Sequence, residues 1–162
     1  MNGKVLAIYP GSFNPFHLGH KNIADKTFDI FGAENTVIAI GLNPSKLAKM
    51  IDKEREEYLN AVKERVAYLK TKLPCDVIYF DSYLHELVAE KEKEGYKIVI
   101  IKGLRNGDDL AYEDTQIRYV KDFNKNVRFL FFRGDPEFDH ISSSFIRQIE
   151  EFRKGDGAKY IV

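Results

Sequence analysis

The chain has 162 residues, of which 44% are hydrophobic and 31% are charged, a balance typical of a soluble globular protein. Lysine plus arginine and aspartate plus glutamate each number 25, so the formal net charge is zero, which disfavours nucleic acid as a partner. Cys75 is the only cysteine, which argues against a disulfide framework and against a cysteine-based metal cluster.

The sequence contains no apolar run that approaches the length of a membrane span, and its first residues show no signal-peptide cleavage pattern. It also contains no linker, internal repeat or low-complexity stretch. We therefore expect one domain over residues 1–162, a cytoplasmic location and no membrane partner.

The hydrophobic pattern predicts five strands that alternate with five helices. The strands are short, mainly apolar runs at 5–9, 36–41, 76–80, 97–101 and 127–132. The helices show apolar residues at helical spacing or end at glycine or proline, and they cover 19–31, 52–72, 84–94, 109–123 and about 142–154. Residues 42–49 are predicted to form a loop, and the tail after residue 154 has no clear pattern.

This alternation predicts an α/β fold. Apolar strands with helices between them indicate a parallel sheet that is covered on both faces. Right-handed crossovers then give a Rossmann-like, doubly wound five-stranded parallel sheet with helices on both faces. Ligands of such folds bind at the carboxyl ends of the strands, so residues that directly follow a strand are the candidates for a site.

The first such stretch is YPGSFNPFHLGH, residues 9–20, between the first strand and the first helix. Its prolines and glycines exclude regular structure. Its two histidines, His17 and His20, lie where the helix begins. The positive end of the helix dipole and the free backbone N–H groups at that point favour a phosphate-rich ligand.

Three further segments follow strands and are expected at the same edge: NPSK at 43–46, KGLRNGDDLAYE at 102–113 and ISSSFIR at 141–147. Each motif has a simpler interpretation by itself. Paired histidines or a run of serines can cap a helix, and GLR can be a turn with a surface arginine. Their joint occurrence at the carboxyl ends of four strands favours one functional site.

Together these motifs resemble those of the phosphopantetheine adenylyltransferase family. GSFNPFHLGH resembles the HxGH signature of the nucleotidyltransferase superfamily, and ISSSFIR resembles the ISSS/ISST motif of its small adenylyltransferases. KGLRNGDDLAYE and NPSK resemble the RGLR…DFxYE segment and the NPxK loop of this family. The resemblance covers nearly the whole chain and implies transfer of AMP from ATP to 4′-phosphopantetheine by direct in-line attack, giving dephospho-coenzyme A and pyrophosphate.

The resemblance also implies roles for single residues. His20 would contact the α-phosphate and, with Ser12 and Lys46, form the catalytic set, while Lys102 would hold the acceptor phosphate. The residues implied to bind ATP are Ser12, Phe13, His17, His20, Gly103, Arg105, Glu113, Phe138, Asp139, His140, Ile141, Ser142, Ser143 and Ser144. The residues implied to bind 4′-phosphopantetheine are Ser12, Lys46, Leu84, His85 and Lys102.

The resemblance further implies that Mg²⁺ enters with ATP rather than at a site built from protein ligands. It implies a homo-oligomer, which in this family is a hexamer. Three features depart from the family pattern. Lys102 replaces the usual arginine and cannot form its bidentate contact, so acceptor affinity is expected to be weaker, or the acceptor to differ. The segment 90–96 is longer than usual, and the NDDL residues of RNGDDL, residues 105–110, replace small apolar residues, although Asp109 keeps the acidic position.

Other functions stay open at this point. A nicotinate or nicotinamide mononucleotide adenylyltransferase would share the HxGH and ISSS motifs, although KGLRNGDDLAYE argues against it. A cytidylyltransferase for glycerol phosphate or choline phosphate usually has an RTxGIST-like final motif, and an aminoacyl-tRNA synthetase would need a tRNA-binding domain. A nucleotide-binding regulator without catalysis is the alternative from a different class.

Overall fold

The computed structural model of the protein describes residues 3–105 and 107–162. Asn106, the first of the residues in RNGDDL that depart from the family pattern, lies outside the described residues. The strands are β1 (Lys4–Gly11), β2 (Thr36–Gly41), β3 (Asp76–Phe80), β4 (Tyr96–Leu104) and β5 (Arg128–Arg133). The α-helices are α1 (Leu18–Phe31), α2 (Pro44–Lys49), α3 (Asp52–Lys72), α4 (Leu84–Lys93), α5 (Gly107–Phe123) and α6 (Ser143–Phe152).

The five strands form one parallel sheet in the order β3-β2-β1-β4-β5. The chain builds outward from β1 to β3 and then returns to the other side of β1 to add β4 and β5. The order therefore reverses between β1 and β4, and a crevice opens there at the carboxyl ends of the two strands. The predicted doubly wound α/β fold is confirmed.

Alternate residues of each central strand supply two separate apolar layers. In β1, Ala7 and Tyr9 face the layer that α1 and α3 cover, while Leu6 and Ile8 face the layer that α4 and α5 cover. All four side chains are buried, because a parallel sheet with helices on both faces leaves its central strands no contact with water.

Three predictions about local structure are wrong. Residues 9–11, which were expected to be irregular, belong to β1, because their backbone pairs with β2. Residues 44–49 form the helix α2 instead of a loop, because Pro44 occupies its first turn and the Asn43 side chain accepts hydrogen bonds from the backbone N–H groups of Ser45 and Lys46. β4 continues three residues beyond its predicted end at Ile101, because the backbone of residues 102–104 pairs with β5. Lys102 is therefore part of a strand.

The C-terminal tail packs against the loop that precedes α1. After a short 3-10 helix, Ala158–Tyr160, residue Ile161 forms an antiparallel bridge with the backbone of His17. The hydroxyl of Tyr68 donates a hydrogen bond to the carbonyl oxygen of Val162 at 2.7 Å.

Within residues 3–105 and 107–162, none of the helices combines the length and apolar character that crossing a bilayer requires.

The helical spacing on α3 leads to a stability prediction. Leu69 is 1% exposed and packs in the layer between α3 and the sheet, so Leu69→Ala leaves a cavity. We expect the substitution to lower the free energy of unfolding by about 2–5 kcal/mol. The matched control is Leu110→Ala on α5, where the leucine is 46% exposed and the expected change is below about 0.5 kcal/mol. Urea denaturation measures both, and equal losses would contradict this assignment of the core.

Candidate active site

A cavity of about 480 Å³ lies at the reversal of the sheet, between the carboxyl ends of β1 and β4. Its walls come from the loop between β1 and α1, from the end of β4 with the start of α5, and from the loop between β5 and α6. The sequence-predicted site residues in these walls are Ser12, Phe13, His17, His20, Lys102, Gly103, Arg105, Glu113, Phe138, Asp139, Ile141, Ser142 and Ser143.

His17 and His20 cap the first turn of α1 reciprocally. Nδ1 of His17 accepts hydrogen bonds from the backbone N–H groups of Gly19 at 3.1 Å and His20 at 3.4 Å. Nδ1 of His20 accepts from the backbone N–H of His17 at 3.1 Å. The two rings stack with 3.6 Å between their centroids. The simpler interpretation of the histidine pair as caps is therefore correct for one nitrogen of each ring.

The capping fixes the tautomer of both histidines. A nitrogen that accepts a hydrogen bond carries no proton, so each neutral ring carries its proton on Nε2. Both side chains line the cavity. Each neutral ring thus has one N–H donor left for a ligand there.

The surroundings keep both rings neutral. Burial lowers the pKa of His17 to about 4, and the positive charge of Arg105 contributes in the same direction. Burial also lowers the pKa of His20 well below its usual value, with smaller contributions from His17 and Arg105. At neutral pH the cavity therefore contains two neutral hydrogen-bond donors rather than two cations.

The ring of Phe13 packs against the ring of His20. Phe13 has a φ of 46°, a left-handed conformation that a bulky residue rarely adopts. Its ring is 3% exposed and meets the ring of His20 edge-on, with 4.9 Å between centroids. The ring also lies against Gly11, where an added Cβ would come within 2.8 Å of it. A glycine at 11 is therefore needed for this packing.

The start of α6 contacts the same loop. Ser142 is the N-cap, and its Oγ accepts from the backbone N–H of Phe145 at 3.1 Å. Oγ of Ser143 donates to the carbonyl oxygen of Pro15 at 2.9 Å, and Nη2 of Arg147 donates to Oγ of Ser144 at 3.3 Å. In these bonds Ser143 donates its hydroxyl hydrogen, whereas the hydroxyls of Ser142 and Ser144 only accept. α6 can therefore offer an anion the O–H of Ser142 as well as the backbone N–H groups of its first turn.

The positive charge on the β4 wall of the cavity is the partly buried ammonium group of Lys102. Nζ of Lys102 donates to Oε1 of Gln116 at 2.6 Å and lies 3.1 Å from Oε2 of Glu113. The distance between Lys102 and Glu113 is that of an ion pair, yet Oε2 of Glu113 makes no hydrogen bond of acceptable geometry within the described part of the chain. The contact between Lys102 and Glu113 is therefore electrostatic and not a hydrogen bond. The side chains of Lys102 and Glu113 are 13% and 20% exposed.

Other charged groups of the cavity are paired as well. Arg105 contacts Asp109 through its Nε at 3.4 Å, and Arg133 forms a two-pronged contact with Asp139 at 2.7 and 2.8 Å. The hydrogen bonds from Arg133 lower the pKa of Asp139 below its usual value. These pairs hold the cavity walls in place before a ligand arrives.

Asp135 ties the loop after β5 to α1. Its carboxylate accepts from Nδ2 of Asn22 at 2.7 Å and from Nζ of Lys26 at 2.9 Å, while its backbone N–H donates to Oδ1 of Asn22 at 2.9 Å. The hydrogen bond from Lys26 lowers the pKa of Asp135, with a smaller contribution from Asn22. The sequence motifs did not indicate Asp135 as a site residue. Its position in the loop directly after β5 could have indicated it.

The remaining predicted site residues lie outside the cavity walls. Lys46 is exposed on α2, with its Nζ 5.0 Å from the centre of the Tyr58 ring. Exposed His140 lies against Tyr160, and Ser144 is exposed behind Ser143. Leu84 is 8% exposed in the apolar layer beneath α4, and His85 stacks on Phe123 with 4.1 Å between ring centroids. The expected contact of Leu84 and His85 with an acceptor stays a prediction.

A comparison with known families supports the interpretation of the motifs. The sequence model described as cytidylyltransferase-like matches residues 8–149. The chain belongs to the cytidylyltransferase-like family. This family match covers all three walls of the cavity, from the end of β1 to the start of α6.

Curated relatives narrow the position within the cytidylyltransferase-like family. The phosphopantetheine adenylyltransferase of Caldanaerobacter subterraneus subsp. tengcongensis is 33% identical over 91% of this chain and 84% of its own length. The phosphopantetheine adenylyltransferase of Mycoplasma capricolum is 31% identical over 92% of this chain and 99% of its own length. The chain is therefore a nucleotidyltransferase that belongs with the phosphopantetheine adenylyltransferases, as the motifs predicted.

A solved structure has the same fold. The nicotinic acid mononucleotide adenylyltransferase of Plasmodium falciparum, complexed with APC, matches with a TM-score of 0.57 over 98% of this chain and 90% of that chain. The two sequences are 16% identical, so the likeness shows the α/β fold alone.

The lowered pKa of His17 predicts how stability depends on pH. The unfolded chain binds a proton at His17 near pH 6.5, whereas the folded protein does so only near pH 4. Between these values the unfolded state binds more protons, so the free energy of unfolding falls as the pH falls. His17→Asn keeps an N-cap acceptor and should show a flatter dependence between pH 7 and pH 5. Urea denaturation at several pH values measures the slopes, and identical slopes would contradict the assignment.

Proposed function

We propose that the chain transfers AMP from ATP to 4′-phosphopantetheine and forms dephospho-coenzyme A and pyrophosphate. The observation that supports it most strongly is that one cavity collects the N-terminal ends of α1 and α6 together with Lys102 on β4. Two helix N-termini suit the phosphates of ATP, and a separate cation on the third wall suits the phosphate of an acceptor. The names of the relatives identify this acceptor class.

In the proposed reaction, an oxygen of the acceptor's terminal phosphate forms a bond to the α-phosphorus of ATP. The bond from that phosphorus to the oxygen bridging to the β-phosphate breaks at the same centre, and pyrophosphate leaves with the electron pair. The step needs no nucleophile from the protein. The protein contributes position and charge stabilisation, which dominate phosphoryl-type transfers.

His20 is the residue we assign to the α-phosphate. Negative charge grows on the non-bridging oxygens as the α-phosphorus becomes five-coordinate, and the Nε2–H of a neutral His20 can donate to one of them. Because the backbone N–H of His17 holds Nδ1 of His20, the donor is in place before ATP binds. His17 and Ser12, next to it in the cavity, would hold other phosphate oxygens.

The other walls of the cavity would bind different parts of ATP and of the acceptor. The backbone N–H groups at the start of α6 would hold the β- and γ-phosphates. Arg105, Gly103 and Glu113 would contact the nucleotide from the β4 side, and Phe138 and Ile141 would face its base. Lys102 would bind the acceptor phosphate. Lys46 is exposed on α2, outside the cavity walls, and would join the site by leaving the Tyr58 ring.

The donor set of the cavity fits magnesium that arrives with ATP. The carboxylates of Glu113, Asp135 and Asp139 each face a cation of the protein. Among the described residues, no group of three or more histidine, cysteine, aspartate or glutamate side chains fits a metal ion. Magnesium would thus be held by phosphate oxygens and water, where it neutralises part of the triphosphate charge.

A direct assay tests the proposal. The protein is incubated with ATP and Mg²⁺, and either 4′-phosphopantetheine or nicotinamide mononucleotide is added separately. The adenylated product is then identified by mass. We expect dephospho-coenzyme A. Product with the mononucleotide alone would replace the proposal by the mononucleotide adenylyltransferase, and no product with either acceptor would favour a nucleotide-binding regulator.

His20→Ala should separate turnover from binding. We expect kcat to fall about 100-fold or more, because one preorganised donor to a developing oxyanion contributes that much. The Kd for ATP should change by less than about threefold, since the contact strengthens mainly in the transition state. Rapid-quench kinetics and calorimetry measure the two values. Equal losses in kcat and in ATP affinity would remove the proposed role, and the melting temperature checks that the variant is folded.

Lys102→Arg tests the departure from the family pattern. A guanidinium offers a bidentate contact to a phosphate, whereas an ammonium acts as a point charge. We therefore expect the variant to keep or improve its affinity for 4′-phosphopantetheine in calorimetry. A collapse of that affinity with unchanged ATP binding would show that the lysine is used differently here.

A further inference from the structure

The environment of Lys102 contains a residue that neither the motifs nor the proposed mechanism uses. Gln116 lies on α5 three residues after Glu113, so both side chains project from the same face of the helix, one turn apart. Its Oε1 accepts a hydrogen bond from Nζ of Lys102 at 2.6 Å. Lys102 and Glu113 line the cavity, whereas Gln116 is exposed and is not part of its lining.

The Lys102 ammonium has two partners in the protein. It donates a hydrogen bond to Gln116 and lies 3.1 Å from Oε2 of Glu113. Since an ammonium has three donors, the hydrogen bond to Gln116 leaves donors for a ligand in the cavity. A lysine side chain is flexible and loses rotamer entropy when it is held in one geometry. The hydrogen bond to Gln116 restricts this side chain before a ligand arrives.

The neutrality of Gln116 matters as much as its reach. Lys102 and Glu113 together carry no net charge, and the amide of Gln116 adds none. A second carboxylate at 116 would give the group a net charge of −1 and would repel a phosphate. The amide therefore orients the ammonium without cancelling its attraction for an anion.

We propose that Gln116 is a positioning residue that sets the affinity of the cavity for the acceptor's terminal phosphate by holding Nζ of Lys102 at the β4 wall. The assignment of that phosphate to Lys102 rests on the proposed function. Gln116 itself touches neither substrate and acts through Lys102 alone.

The test compares Gln116→Leu with Asp114→Asn. Asp114 is the matched control, because it also supplies an acceptor oxygen from α5 but binds Arg118 on the exposed face. We expect Gln116→Leu to raise the KM for 4′-phosphopantetheine about tenfold, which corresponds to one hydrogen bond to a charged group. The KM for ATP and kcat should stay within about twofold, as should all three values for Asp114→Asn. Equal effects of the two variants would overturn the proposal.

A double-mutant cycle shows whether Gln116 acts through Lys102. In the Lys102→Met background, Gln116→Leu should cause no further loss of acceptor affinity, because the group it positions is gone. A further loss of the same size would show that Gln116 binds the acceptor itself. A parallel fall in ATP affinity and kcat would show a general effect on the site, and either result would overturn the proposal.

Two further variants protect the test from a failure to fold. Gln116→Asn keeps the amide but is one methylene shorter, so it should behave like Gln116→Leu. Gln116→Glu keeps the length and adds a charge, so its acceptor affinity should be lower than that of the wild type at pH 8. An affinity equal to that of the wild type would contradict the electrostatic role.

A probe without an acceptor separates this proposal from the proposed function. Saturating inorganic phosphate should raise the melting temperature of the wild-type protein, and this rise should shrink in Gln116→Leu but not in Asp114→Asn. If the wild type fails to adenylate 4′-phosphopantetheine but shows this pattern, the proposed function is wrong and the role of Gln116 stands. If product forms and the phosphate effect is equal in all variants, the proposed function stands and the role of Gln116 is wrong.

Discussion

The geometry of the site depends on the reciprocal hydrogen bonds between His17 and His20. Each imidazole satisfies backbone N–H groups that the first turn of a helix would otherwise leave without partners. The same bonds decide which nitrogen carries the proton, and burial keeps both rings neutral. A feature that stabilises α1 thus also creates two oriented donors. This is why the structural and the functional interpretations of the histidine pair do not compete.

The rest of the cavity is attached to this helix start. Ser143 binds the carbonyl oxygen of Pro15, and Ile161 in the tail bridges to the backbone of His17. Asp135 joins the loop after β5 to the side of α1. Segments that are distant in the sequence therefore hold the loop between β1 and α1 from several sides. Such restraint is what an electrostatic mechanism needs, because donors that must reorganise during the reaction lose much of their effect.

Charge in the cavity is balanced before a ligand binds. Lys102 faces Glu113, Arg105 contacts Asp109, and Arg133 is bound to Asp139. These pairs order long side chains, but a phosphate that enters must compete with the carboxylates for the same cations. The helix N-termini face no competing carboxylate, although the N–H groups of Gly19, His20 and Phe145 are bound to the capping side chains of His17 and Ser142. We infer that the helix ends give the cavity its basic preference for phosphate and that the ion pairs adjust its strength.

The class of fold, the order of the five strands and the helices between them, and the family follow from the sequence alone. Apolar runs and their spacing depend on local burial, so β2, β3 and α3 have the predicted bounds, and motifs such as HxGH and ISSS mark the segments that meet at one edge. The sequence analysis missed the short helix α2 and the last residues of β4, because α2 depends on a side-chain cap and the end of β4 depends on pairing with β5.

Which of the predicted residues share the cavity depends on the tertiary structure. Leu84 and His85 follow β3 in sequence but lie in the first turn of α4, outside the cavity walls, whereas Asp135 and Gln116 reach functional groups through contacts across the fold. The hydroxyls of Ser142 and Ser143 also bind within the protein. Such contacts depend on distances between elements far apart in the chain, and no local pattern encodes those distances.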